Sequence, residues 1–263
     1  MNRRLFLSIL GGEAAAAGGA RVGPERGSLV VVGGGRLGPP IISRFLALAG
    51  GGEARLVIIP TADTRDHFDE AWVRDHFLHK AGARRLTVAH TRDREKADSK
   101  DFTRAIEAAS GVWFGGGRQW RLVDSYLNTR THRELKRLLE RGGVIGGTSA
   151  GATIQGSYLV RGAREGNHIM MAPGYETGMA FLRGVAVDQH LLKRNRQEDL
   201  VGVVRRHREL LGLGIDEATA IVVSRDEFEV IGDSKVAVYD ANRLPYYFLS
   251  PGDRFDMAAR RKL

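Results

Sequence analysis

The chain has 263 residues, 43% of them apolar, with 34 glycines, no cysteine and 40 Lys plus Arg against 31 Asp plus Glu. At this length that apolar share supports a sizeable core and excludes a disordered chain, and the missing cysteine excludes disulfides, thiolate metal sites, iron–sulfur clusters and a cysteine nucleophile. The net charge of +9 is carried mainly by scattered arginines, without the basic stripe and interleaved aromatics of a nucleic-acid binder, so no nucleic-acid partner is expected.

The first residues, Asn2-Arg3-Arg4-Leu5-Phe6-Leu7-Ser8, lead through Ile9-Leu10 into a stretch rich in Ala and Gly, interrupted by Glu13. A basic start, a modest apolar run and small residues suit an export signal, and Arg3-Arg4-Leu5-Phe6-Leu7 resembles the twin-arginine pattern. Residues 1–26 are expected to form a leader and 27–263 a single domain, exported to the periplasm or beyond; a cytoplasmic protein is the alternative. No other stretch approaches the ~18 apolar residues of a membrane span, so none is expected.

From Ser28 onward, β-branched runs alternate with amphipathic stretches, the pattern of an α/β fold with a parallel sheet. Strands are expected at Ser28–Val32, Arg55–Ile59, Leu86–Ala89, Val112–Phe114 and Val144–Ile145. Helices are expected from Pro39 to Ala49, Asp66 to Ala81, Asp101 to Ala109, Gln119 to Leu127 and Thr131 to Arg141. A strand at Gly184–Val187, a helix from Arg196 to His207, and strands at Ala220–Val223, Glu227–Ile231 and Val236–Tyr239 complete the reading. The fold class is α/β: a doubly wound, mostly parallel, flavodoxin-like sheet with extra antiparallel strands near the C-terminus.

Gly147-Thr148-Ser149-Ala150-Gly151 follows a buried strand and precedes a helix, the setting of a nucleophile elbow, in which small neighbours permit the sharp turn that exposes a serine hydroxyl. A serine needs a base, and the base a carboxylate to orient it. His190 lies at the end of an apolar strand, at the sheet edge where α/β folds bind ligands, and Glu217 interrupts a later apolar run. Ser149, His190 and Glu217 are the best triad that spacing offers. An α/β-hydrolase arrangement with Asp188 as acid and His207 as base remains open.

The other histidines carry less. His76 and His79 share a helical face without a carboxylate at matching spacing, so no metal is expected. His67, His90, His132, His168 and His207 sit among polar or charged residues and read as surface groups. Gly33-Gly34-Gly35-Arg36-Leu37-Gly38 satisfies a dinucleotide-loop pattern, but Ile59-Pro60-Thr61 supplies no ribose-binding acid, so the run reads as a tight turn near the active-site edge.

Four motifs in order resemble the cyanophycinase and dipeptidase E type of serine peptidase. They are Phe114-Gly115-Gly116-Gly117-Arg118-Gln119-Trp120-Arg121-Leu122, the segment Gly146 to Ala152, Asp188-Gln189-His190 with Arg194 and Arg196, and the segment Leu213 to Ala220. The resemblance implies a fold like that of class I glutamine amidotransferases, with Ser149 as nucleophile, His190 as base and acid, and Glu217 orienting the imidazole. It further implies an oxyanion hole from Gly116, Gly117 and Ala150, and substrate contacts from Gln119, Asp188, Gln189, Arg194 and Arg196. An acyl-enzyme, no cofactor or metal, an acidic or β-aspartyl peptide substrate and a homodimer are expected on the same ground.

The chain departs from the family pattern in three places. Arg118 stands where Asp or Asn is usual, Leu191 replaces a Phe, and Asp199 holds the place of a third arginine. A family member that binds acidic peptides without cleaving them, or an α/β-hydrolase-type esterase, is the competing expectation.

Overall fold

The computed structural model describes residues 21–71, 73, 85–243 and 245–263. The expected leader up to residue 20, His76, His79 and most of the helix expected from Asp66 to Ala81 lie outside them.

Strands β1 (Ser28–Val32), β2 (Arg55–Ile59), β3 (Arg85–Val88), β4 (Gly111–Phe114) and β5 (Val144–Thr148) form a parallel set in the spatial order β3-β2-β4-β5-β1. The run β3-β2-β4-β5 follows the flavodoxin-like 2-1-3-4 order, and the N-terminal strand β1 fills the fifth place. Between these strands lie α1 (Pro39–Ala49), α2 (Arg94–Ala97), α3 (Lys100–Ala108), α4 (Gln119–Tyr126) and α5 (Arg130–Glu140).

Strands buried on both faces need an apolar residue at every position, and β1 meets that demand. Leu29 and Val31 face one core with Val57, Val112 and Ile145, while Val30 and Val32 face another with Phe45 and Ile41 of α1. Trp113 meets Phe45 edge-to-face at 4.9 Å, an arrangement that adds roughly 0.5–1.5 kcal/mol beyond area burial.

After β5 come the one-turn helix α6 (Ala150–Thr153), β6 (Gly156–Tyr158), β7 (Leu182–Gln189), α7 (Asp199–Arg206) and β8 (Leu211–Ile215). The chain then forms β9 (Thr219–Ser224), β10 (Glu227–Gly232), β11 (Val236–Asp240), β12 (Tyr247–Leu249), β13 (Arg254–Asp256) and β14 (Arg261–Lys262). Here the structure goes beyond the one sheet expected. Strands β9, β10, β13 and β14 extend the parallel set antiparallel from β1, whereas β12-β11-β8-β7-β6 make a second, five-stranded sheet. Val185, Val187, Leu213 and Ile215 pack one face of the second sheet into the larger core, and α7 covers the other face with Leu200, Val203 and Val204.

Residues ahead of β1 are already part of this body. The Asp226 carboxylate accepts both the Val22 and Gly23 N–H groups, at 2.7 and 3.1 Å, and the Val22 carbonyl accepts from Arg183 N at 2.7 Å. This short strap ties the β9–β10 turn of the large sheet to β7 of the small one.

Candidate active site

The carboxyl ends of β1, β4 and β5 run into Gly33-Gly34-Gly35, Gly115-Gly116-Gly117 and Ser149 respectively. Ser149 joins β5 to α6 with φ 55° and ψ −113°, a conformation that costs a non-glycine residue about 1–3 kcal/mol and persists only where its surroundings fix it. Its N–H is bonded to the Val32 carbonyl at 3.0 Å. The turn is so tight that a Cβ on Gly147 would lie 2.2 Å from the Gly151 carbonyl oxygen, and one on Gly151 would lie 2.5 Å from that of Phe114. Sterics therefore dictate glycine two residues before and two residues after the serine.

His190 follows β7, and Glu217 lies between β8 and β9, so both come from the end of the second sheet. The imidazole bridges the sheets: Nε2 is 2.9 Å from Ser149 Oγ and Nδ1 is 2.5 Å from Glu217 Oε1. With Glu217 ionised, Nδ1 carries the hydrogen and Nε2 is free to accept the serine proton.

The Gly33–Gly35 run is a saddle for this pair. His190 N donates to the Gly33 carbonyl at 2.7 Å and Ala218 N to that of Gly34 at 3.0 Å. A Cβ on Gly34 would lie 2.3 Å from His190 Cε1, and one on Gly35 would lie 2.7 Å from Glu217 Oε2. The tight turn expected from the sequence is thus the bed of the histidine and the glutamate. Asp216, beside Glu217, fastens the turn after His190: its carboxylate accepts from Leu192 N, Lys193 N and Ser234 Oγ at 2.9, 3.0 and 2.7 Å.

Burial pushes the His190 imidazole below the ordinary histidine range; the Glu217 hydrogen bond opposes this, and the nearby Arg194 and Arg196 add to it. The ring is therefore neutral near pH 7, the state a general base requires.

The residues expected to contact substrate divide. Gln119 opens α4 and is only 1% exposed, yet its amide Nε2 has no hydrogen-bond partner. Gly116 lies against Ser149: a Cβ on it would be 3.4 Å from Ser149 Cβ. Arg194 is exposed, one turn beyond His190. By contrast, Asp188, Gln189 and Arg196 are engaged inside the protein. Asp188 is fully buried and takes a two-pronged ion pair from Arg161, at 2.6 and 2.8 Å, while Arg196 donates to the Gln189 side chain at 2.7 Å. Asp199, in the place of the third arginine, also pairs with Arg161, at 2.5 Å.

These pairings remove the α/β-hydrolase alternative. Asp188 belongs to Arg161, and His207 caps α7 with its ring against Tyr158, centroids 4.8 Å apart. His132 is likewise no surface group. It is 5% exposed, donates from Nε2 to the Met179 carbonyl at 2.8 Å and accepts at Nδ1 from Asn128 N at 3.2 Å. Among the described residues, no group of three or more His, Cys, Asp or Glu is arranged to hold a metal ion.

A doubly wound α/β sheet with a hydrogen-bonded serine, histidine and glutamate at the carboxyl edge of its strands has the architecture of a serine-type hydrolase. The chain belongs to peptidase family S51, whose model matches residues 29–231. A cyanophycinase from Geminocystis herdmanii is 33% identical over 230 residues, covering 84% of this chain and 83% of that protein. Another from Trichormus variabilis is 31% identical over 254 residues, covering 86% and 83%. Among solved structures, the fold is similar to that of a peptidase from an acI-B1 actinobacterium (TM-score 0.66, 24% identity, 90% of this chain and 98% of that one). It is also similar to a putative peptidase E from Listeria monocytogenes (TM-score 0.57, 14% identity, 79% and 99%). The chain is accordingly a hydrolase acting on peptide bonds.

Proposed function

We propose that Ser149, His190 and Glu217 form a catalytic triad that hydrolyses aspartyl or β-aspartyl bonds of acidic peptides through an acyl-enzyme. The observation that carries this reading is the continuous hydrogen-bond chain from Ser149 Oγ through the His190 ring to Glu217. His190 Nε2 takes the Ser149 proton as Oγ adds to the scissile carbonyl, and Glu217 stabilises the imidazolium that results. The strained turn is then a nucleophile elbow, and N–H groups at Ala150, Gly116 and Gly117 face the oxyanion. His190 returns the proton to the leaving amine. A water activated by the same ring then releases the acyl group.

The acidic substrate class is supported by the relatives named as cyanophycinases and by Arg118 and Arg121, whose guanidinium groups donate to backbone carbonyls, and the exposed Arg194. Export rests on the Arg3-Arg4-Leu5-Phe6-Leu7 run, and homodimerisation on family membership; both remain part of the proposal. A fluorophosphonate probe tests the nucleophile: wild-type protein is expected to be labelled and Ser149→Ala not. Labelling that persists in Ser149→Ala would remove Ser149 from its role. Cleavage of p-nitrophenyl esters but of none of a panel of α- and β-aspartyl dipeptides would overturn the substrate class.

A further inference from the structure

Ser149 has a neighbour whose place is set from outside the triad. A Cβ on Gly116 would lie 3.4 Å from Ser149 Cβ and 4.0 Å from its Oγ. The run that carries Gly116 is laid along the segment that leaves β2. Gly115 N donates to the Ile59 carbonyl at 3.0 Å and Arg118 N to that of Ala62 at 2.8 Å. A Cβ on Gly117 would lie only 2.0 Å from the same Ala62 oxygen, so the two segments touch along their length. Where residues 59–62 go, Gly116 must follow.

One side chain pins that segment from beneath. Thr61 is fully buried, with its hydroxyl 2.6 Å from Tyr126 Oη and 2.8 Å from His90 Nδ1. Tyr126 Oη accepts from Thr91 N at 3.2 Å, and burial pushes the phenol up to about 12, so it keeps its proton. One direction of donation leaves no hydrogen idle: Tyr126 donates to Thr61, and Thr61 donates to an unprotonated His90 Nδ1. A proton on Nδ1 reverses the last bond. Either the Thr61 or the Tyr126 hydroxyl then holds a buried hydrogen with no acceptor, and the chain must loosen. Around His90 stand Asp66, His67 and Glu70 from the loop after β2, Arg92 and Asp93 from the loop after β3, and Lys96 of α2. Burial, and after it Arg92, holds the imidazole below the ordinary histidine range, against a hydrogen bond and the charge of Asp66. Arg92 is fixed there by the carbonyls of Asp63, Thr64 and Arg65, at 2.9, 3.0 and 3.0 Å.

We propose that His90 is a positioning residue: through Thr61 it holds the Gly115–Gly117 run against Ser149, and it releases that run when its ring takes up a proton. This deepens the function proposed above and rests on it. His90 touches neither the substrate nor the triad. Its neutral ring is the last acceptor of a chain that ends, through Ala62, on the glycines beside the nucleophile. Two histidines at the same edge of the sheet must then both be neutral for turnover, His190 to accept the serine proton and His90 to keep the glycine run in place.

Two variants separate the acceptor from the titrating group. His90→Leu removes the acceptor and is expected to lower kcat on a β-aspartyl dipeptide at least ~10-fold at pH 8, with KM within about two-fold of wild type. His90→Asn offers Thr61 an amide oxygen that does not titrate, so it is expected to restore kcat at that pH. The acid limb of kcat/KM is expected to steepen to ~100-fold per pH unit in wild type, where two protons act, and to stay at ~10-fold in His90→Asn. A readout free of turnover is magnetic resonance of the Ser149→Ala protein, in which the Gly116 and Gly117 amide signals are expected to shift with the His90 titration and to stop doing so when His90→Asn is added. Wild-type kcat in His90→Leu, a limb equally steep in wild type and His90→Asn, or glycine signals indifferent to the His90 titration would overturn the proposal. Glycine signals that follow His90 in a protein whose wild type cleaves no aspartyl bond would support the coupling and count against the catalytic reading.

Discussion

His190 is held from four directions: its N–H by Gly33, Nε2 by Ser149, Nδ1 by Glu217, and the flat of its ring by a glycine with no side chain. Its proton affinity follows from that enclosure. Burial favours the neutral ring, so the base form persists below the ordinary value of about 6.5, and activity is lost only as pH falls through this lowered value. The acid limb of kcat/KM is therefore expected below pH ~6.5. Glu217→Gln removes the group that raises the imidazole, so it is expected to move the limb lower still while reducing kcat by roughly 10²–10⁴-fold. A limb at or above the ordinary value, or one that moves upward in Glu217→Gln, would contradict this account of the ring. Ser149, His190 and Glu217 were legible because each is a polar residue set where an apolar run ends, in a pattern with a mechanical reason. That Asp188, Gln189 and Arg196 are paired within the protein is not legible, because spacing cannot reveal that Arg161, from a loop after β6, turns toward Asp188 and away from solvent.

At the scale of elements, the parallel strands were readable because burial on both faces demands unbroken apolar runs, as in β1 and β2. Strand β8 was not, since Leu211-Gly212-Leu213-Gly214-Ile215 alternates with glycine, the residue least suited to a strand. Those glycines leave room for neighbours: a Cβ on Gly212 would lie 2.9 Å from Tyr239 Cβ, and one on Gly214 would lie 2.7 Å from a Leu191 methyl. The strap at Val22–Gly23 was also invisible in the sequence, because it depends on one carboxylate far along the chain. Asp226→Ala leaves two part-buried N–H groups without their acceptor. It is expected to lower unfolding free energy by about 1–3 kcal/mol in urea titrations with the slope unchanged. A midpoint equal to wild type would show that the strap contributes nothing to holding the sheets together.

For the whole molecule, the second sheet is the main departure from expectation, and its buried charges explain how it is held. Arg161 and Asp188 are 2% and 0% exposed. Their desolvation is offset by their mutual geometry, by the bonds of Arg161 to Asp199 and the Asn167 carbonyl, and by the Gln189 N–H that donates to Asp188 at 2.9 Å. Arg161→Met leaves the Asp188 carboxylate buried and unpaired, so a loss of about 3–5 kcal/mol is expected, with partial recovery when Asp188→Asn is added. An unchanged melting temperature together with an altered substrate preference would instead make this pair part of the binding pocket. The division of Ser149, His190 and Glu217 between two sheets also bears on the order in which the site is assembled. Ser149 is made first, His190 and Glu217 only after β7 and β8, and the glycine bed beneath them follows β1, which pairs with β9 residues as distant as Val223. A chain that ends before β7 and β8 therefore has the Ser149 hydroxyl without the imidazole that lies beside it in the finished fold. On the proposed mechanism, hydrolysis therefore requires that β1 and β9, far apart in the sequence, have already closed on each other.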